Sequence, residues 1–135
     1  TSDTFPYSHT TYYSDEMGPH LKKQFIYIQN PIQADNIHCA KTWSVQLEKE
    51  LSVNQRRQIN IDPGGINAHQ IILLSTKNYC HRIPLQDSIF SEITMIYHNK
   101  QFQEVPWTYP DFRMGHYNVF FKECRRHYIQ HNIRQ

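Results

Sequence analysis

No uninterrupted apolar stretch in this chain approaches the roughly 20 residues that cross a bilayer as a helix, and no basic-then-apolar leader precedes its first turn. A membrane partner is not expected. Nor is there a long run of Lys and Arg. Fourteen basic residues stand against 12 acidic ones, a formal charge of +2, and the continuous cationic track that follows a nucleic-acid backbone is missing. No nucleic-acid partner is expected either. Cysteine is scarce: Cys39, Cys80 and Cys124 are widely spaced and fall in predicted helix or strand contexts. That pattern argues against a disulfide scaffold and for reduced thiols in a cytoplasm. Two catalytic signatures are also absent. No glycine-rich loop ends in Lys-Ser/Thr, and no Ser-His-Asp set lies in the order and strand context that nucleophilic catalysis requires.

What is present suffices for one modest core. At 135 residues, 39% hydrophobic and 13% aromatic, residues 1–135 are expected to form a single domain. Nine histidines would make it markedly more cationic below neutral pH. The chain opens at Thr1 with no initiator methionine, so an upstream segment is expected. After a turn-rich opening and a break at Gly18-Pro19, the alternation in Lys23–Gln29 predicts a strand. From about Gln33 to Leu51 the period changes. Ile37, Ala40, Leu47 and Leu51 share one side of a wheel drawn at about 100° per residue, with Trp43 at its margin. Lys41, Ser44 and Glu48 form a second row beside that stripe, either a solvated flank or the wall of a cleft. Ile59–Ile61 alternates as a strand, and Asp62-Pro63-Gly64-Gly65 reads as a turn whose bare amides are also able to meet an anion.

The segment Leu73–Phe112 carries the densest chemistry. Ile71–Leu74 is an apolar run suited to an element covered on both faces. His81–Leu85 and Ile89–Tyr97 read as antiparallel strands joined across Gln86-Asp87-Ser88, which places Arg82 opposite Glu92 and Ile83 opposite Ser91. Glu92 and Thr94 then share a face with Phe90 and Ile96, and a carboxylate partly withdrawn from water needs a partner such as Arg82. Asn99-Lys100 predicts a tight turn into a third strand, Phe102–Val105, of a meander. Two prolines keep Trp107–Phe112 out of a central strand, so it should cross the sheet as an aromatic loop. A C-terminal helix is predicted over His116–Asn132, with Tyr117, Phe120, Phe121, Cys124 and Tyr128 on one face. Cys124, His127 and His131 have helical ligand spacing but no fourth partner, so no metal site is assigned.

Phe5-Pro6, Thr11-Tyr12-Tyr13, Glu16-Met17-Gly18, Lys41-Thr42, Leu47-Glu48, Asn60–Gly64, Ser75-Thr76-Lys77, His81-Arg82-Ile83, Glu92-Ile93-Thr94 and Pro106–Asp111 follow one another in the order of a bacterial family's motifs. The chain resembles the family known as domain of unknown function 4416 over almost all its length. Its members are uncharacterised and sometimes labelled GTP-binding. Gly65 stands where the family usually has an aromatic residue, and Ser88 where it usually has a Gly. Relatives typically begin with a further strand and helix before the segment equivalent to Phe5. Lack of that unit implies an exposed sheet edge, and with it a homo-oligomer as one possible assembly.

The expected fold is therefore α+β, a mainly antiparallel sheet of about five strands with two principal amphipathic helices. The preferred function is binding of a small anionic metabolite, phosphorylated or nucleotide-like, between the hairpin and the aromatic loop. Lys77 and Arg82 would hold the anion and His81 would supply a proton. Glu92 and Asp111 would orient the cations or act in acid/base chemistry, and Trp107 and Tyr109 would line the pocket. Lys41, Glu48 and Asp62 would contribute from the helix and the following turn. The alternatives are a noncatalytic interaction or scaffold domain and a metal-dependent hydrolase. No cofactor is specified.

Overall fold

The computed structural model describes residues 1–8 and 10–132. Strand β1 (Thr4–Pro6) and, after the one-turn helix α1 (Ser14–Met17), strand β2 (Lys22–Gln24) form a two-stranded antiparallel ribbon with Phe5 opposite Lys23. The predicted strand over Lys23–Gln29 is confined to the stretch that pairs with β1. The amide of Ser2 donates to the Phe25 carbonyl and that of Phe25 to Ser2 Oγ. Beyond this point Phe25 and Tyr27 are half-buried while Ile26 and Ile28 are each 73% exposed.

A 3-10 turn at Ala34–Asn36 leads into α2 (His38–Glu50), which begins later than its sequence period predicts. More consequentially, α2 has turned. Its buried residues are His38, Lys41, Ser44 and Glu48, whereas Trp43 is 63% exposed and Leu51 is exposed. The reason lies in the segment after it. Ile61 forms no strand, because Glu48 Oε1 accepts from its amide at 2.5 Å and Lys41 Nζ donates to its carbonyl at 3.1 Å. Side chains of the helix occupy the backbone groups that a neighbouring strand would have used.

The main sheet contains β3 (Gly64–Ile66), β4 (Gln70–Ser75), β5 (Ile83–Pro84), β6 (Phe90–His98) and β7 (Gln101–Glu104), all paired antiparallel in the order β3-β4-β6, with β5 and β7 also on β6. Gly64 and Gly65 belong to β3 rather than to the predicted turn. A Cβ on Gly64 would lie 2.1 Å from the Ile72 carbonyl oxygen, so the close pairing with β4 requires glycine there. The hairpin register is as expected, with Ile83 opposite Ser91. Asn99 and Lys100 both have positive φ, the geometry of a tight hairpin turn matched to strand twist. Ser88 also has positive φ, 59°, a conformation that a glycine adopts without penalty.

The predicted meander is replaced by a different arrangement. Phe90 and Ser91 pair with β4 on one side and β5 on the other, and Met95 and Ile96 pair with β4 and β7. Strands β5 and β7 therefore share one edge of β6, end to end, with a gap between them. At that gap the β4 register slips, Ile72 facing Ile93 and Ile71 facing Met95, which leaves Thr94 as a bulge. The bulge reverses the expected alternation. Met95 joins the core and Ile96 is exposed, so Ile96 does not share Glu92's face as predicted.

After the aromatic loop come the one-turn helix α3 (Pro110–Arg113) and α4 (Asn118–Asn132). Tyr117 and Phe121 join Ile71, Met95, Phe102 and Phe112 in the core, with Phe5 and Phe25 packed against it from the ribbon. Arg125 fastens α4 to the sheet by donating to the Ala68 carbonyl at 2.7 Å while its guanidinium lies 3.5 Å over the Tyr97 ring. The fold is thus α+β: a mainly antiparallel five-stranded sheet, a two-stranded ribbon and two long helices. Among the described residues no helix is long and apolar enough to cross a membrane.

Candidate functional site

The gap between β5 and β7 is filled by side chains. Trp107 Nε1–H donates to the Ile93 carbonyl at 2.7 Å and Thr108 Oγ1 to the Thr94 carbonyl at 2.6 Å. Two consecutive carbonyls at the bulge thus anchor the loop between Pro106 and Pro110, and the loop brings its rings over the strand that carries Glu92. The result is an open cleft of about 310 Å³ lined by Lys77, Asn78, Tyr79, His81, Arg82, Glu92, Trp107 and Tyr109.

Glu92 is its buried centre, 3% exposed. Its Oε2 accepts from Arg82 Nε at 2.7 Å and pairs with His81 Nε2 at 2.8 Å. An ionised carboxylate only accepts hydrogen bonds, so in this pairing Nε2 is the donor. The imidazole is further held by stacking on Trp107, with centroids 4.8 Å apart and planes 12° apart. Glu92 Oε1 is buried without a hydrogen-bond partner.

Arg82 ties the wall together. Beyond Glu92, its Nη1 donates to Ser75 Oγ at 3.0 Å and to the Lys77 carbonyl at 2.8 Å, and its Nη2 to the Tyr109 hydroxyl at 3.1 Å. Four of the roughly five N–H groups of a guanidinium are engaged in this way. One Nη2 N–H has no protein acceptor among the described residues. Burial works against the Arg82 charge, but Glu92 and Tyr109 more than offset it and the pKa lies above the ordinary value. Burial, aided by the Glu92 charge, raises the Tyr109 phenol. Lys77 is exposed, with its ammonium 5.5 Å from the centre of the Tyr12 ring. It has no carboxylate partner among the described residues.

Six of the predicted site residues, Lys77, His81, Arg82, Glu92, Trp107 and Tyr109, therefore line one cleft. The other four do not line it. Asp111, 3% exposed, lies at the start of α3 and accepts from Lys23 Nζ at 2.5 Å and from the Tyr117 hydroxyl at 2.9 Å. The Lys23 ammonium is also 4.8 Å from the centre of the Tyr7 ring and 5.1 Å from that of Phe112. Asp111 thereby clamps the N-terminal ribbon onto the core. Burial and the Asp111 charge push the Tyr7 hydroxyl up to about 12.

Lys41, Glu48 and Asp62 belong to a second polar network. Lys41 lies 3.5 Å from Asp62, Glu48 lies 3.5 Å from Arg57, and Arg57 makes a forked contact with Glu16 at 2.8 and 3.0 Å. Hydrogen bonding from Arg57 holds the Glu16 carboxyl below its ordinary pKa. Sequence reading missed Arg57 and Lys23 as partners, and Asn78 and Tyr79 as lining residues. Arg57 sits in a polar connection without periodicity, and only its distance from a carboxylate in space marks it. Asn78 and Tyr79 follow Lys77 directly, and that adjacency was the available signal.

Among the described residues no three His, Cys, Asp or Glu side chains gather as metal ligands. Cys124 is buried, and the rings of His127 and His131 stack with centroids 4.0 Å apart.

The fold and the cleft together define an α+β protein with a charged, aromatic-walled cleft at a gap in its sheet edge. The chain belongs to the family described as Domain of unknown function (DUF4416), which it matches over residues 1–128. No curated protein and no solved structure matches it.

Proposed function

We propose that this protein binds a small anionic metabolite in the cleft between β5, the Ser75–Asn78 turn and the aromatic loop. The observation that carries this reading is the pairing of a pre-organised wall with an uncommitted cation. Glu92 and Arg82 are locked into each other, while Lys77 at the rim has no carboxylate to neutralise it. A cation held without a counter-ion beside a concave, aromatic-lined surface suits a phosphate or carboxylate. Lys77 supplies the main charge and the remaining Arg82 N–H a directional bond. His81, buttressed by Glu92 and Trp107, is the group best arranged to exchange a proton with a bound ligand.

Isothermal titration calorimetry with inorganic phosphate and small phosphate esters tests this reading. Binding to the full chain that is lost in Lys77→Ala, with stability unchanged to within about 0.5 kcal/mol as expected for an exposed side chain, supports it. Absence of binding by every phosphate and carboxylate tried would overturn it.

A second reading, a noncatalytic interaction module, draws on a different observation. Trp43 and Leu51 on and just after α2 are exposed apolar side chains, and Arg82 is largely spent on internal bonds. On this reading small anions do not bind and substitution of Lys77 has no measurable effect.

A further inference from the structure

Independently of the cleft, we infer that His127 and His131 form a two-imidazole site for a divalent transition-metal ion such as zinc or nickel. They stand four residues apart on α4, so they share one face of the helix. Their rings stack with centroids 4.0 Å apart and planes 16° apart. A tetrahedral ion with two metal–nitrogen bonds of about 2.1 Å holds those nitrogens roughly 3.4 Å from each other. One ion is therefore within reach of both rings after a small rotation.

What separates this pair from ordinary surface histidines is the use of the other ring nitrogen. His131 Nδ1 lies 2.9 Å from the His127 carbonyl; a carbonyl only accepts, so Nδ1 is the donor and the neutral ring presents Nε2 as an acceptor. His127 Nδ1 lies 3.3 Å from the Tyr27 hydroxyl, which is able to accept from it. Both Nε2 atoms are without a protein partner among the described residues. A metal-bound imidazole characteristically donates its second N–H to an oxygen in this way, which fixes the ring and strengthens it as a ligand. Imidazole nitrogens suit zinc, nickel and copper, whereas magnesium and calcium require oxygen donors. Cys124, one turn earlier on α4, is 4% exposed and belongs to the core, and no third ligand of the His, Cys, Asp or Glu type gathers here among the described residues. Water completes the coordination, which makes the site open and its affinity modest.

Calorimetric titration of the full chain with nickel, zinc and magnesium chlorides tests the site. One nickel ion should bind with a dissociation constant on the order of 10–100 µM, and magnesium should not bind. His131→Ala removes an exposed side chain near the end of α4 and should weaken nickel binding on the order of 10-fold or more. His127→Ala should weaken it as much, and the double variant no further than either single one, because a lone imidazole does not chelate. That equality distinguishes a chelate from independent binding to any of the nine histidines. Tyr27→Phe, which removes only the hydroxyl facing His127, should weaken binding several-fold. Failure of both nickel and zinc to bind below about 1 mM, or an affinity unchanged in His131→Ala, would overturn the inference.

Discussion

Arg82 bonds four partners drawn from three parts of the chain: the end of β4 and its following turn, the centre of β6, and the aromatic loop. Removing it leaves Glu92, whose carboxylate is almost wholly buried, with His81 as its remaining partner. Arg82→Ala is therefore expected to destabilise the protein by about 2–4 kcal/mol in urea unfolding, against the near-neutral Lys77→Ala. A loss under about 1 kcal/mol would contradict the role assigned to the pair. Cys124 gives a second measurement at this scale. Burial pushes its thiol up to about 11, from an ordinary 9.0. Because the folded value is raised, this group's contribution to stability is whole below pH 9 and is lost as pH rises from 9 to about 11. At pH 8 a thiol reagent should label the exposed Cys39 and Cys80 rapidly and Cys124 only on unfolding. Rapid labelling of all three would place Cys124 outside the core.

Among the elements, β3 and α2 depart furthest from what their sequences alone imply. Gly64-Gly65 has the composition of a turn, yet Gly64 is where β3 pairs so closely with β4 that a side chain would collide with the Ile72 carbonyl. Gly64→Ala should cost about 1–3 kcal/mol in thermal or urea unfolding. Gly65→Ala, whose new methyl would meet the flexible end of Ile37 at 3.0 Å, should cost less; the reverse order would contradict the pairing described for β3. In α2 the period was legible and the facing was not. The wheel separates Lys41, Ser44 and Glu48 from the apolar residues, but only the segment ending at Ile61, which needs partners for its backbone, turns the polar row inward. Strand β6 and its two turns were legible because alternation and turn residues are local signals. The bulge at Thr94 was not, because it depends on the register of β4.

At the scale of the whole molecule, the antiparallel α+β class, the family and the aromatic face of α4 were readable in the chain, and so were six of the ten candidate site residues. These six lie close in sequence on a hairpin and a loop that fold back on one another. Asp111 is four residues from Trp107 yet serves the ribbon instead, since Lys23 arrives from the far end of the chain through a pairing between β1 and β2 that no local pattern announces. Because the cleft lies where β5, β6 and the aromatic loop meet, its occupancy is tested most directly by the indole N–H resonances of the two tryptophans. Trp107 Nε1–H is bonded to the Ile93 carbonyl in the cleft wall, whereas Trp43 projects from α2. In a nitrogen–proton NMR titration of the full chain with glucose 6-phosphate, the Trp107 indole signal should shift with saturation while that of Trp43 stays fixed. An unmoved Trp107 signal, or a saturable shift confined to Trp43, would contradict a ligand site in this cleft.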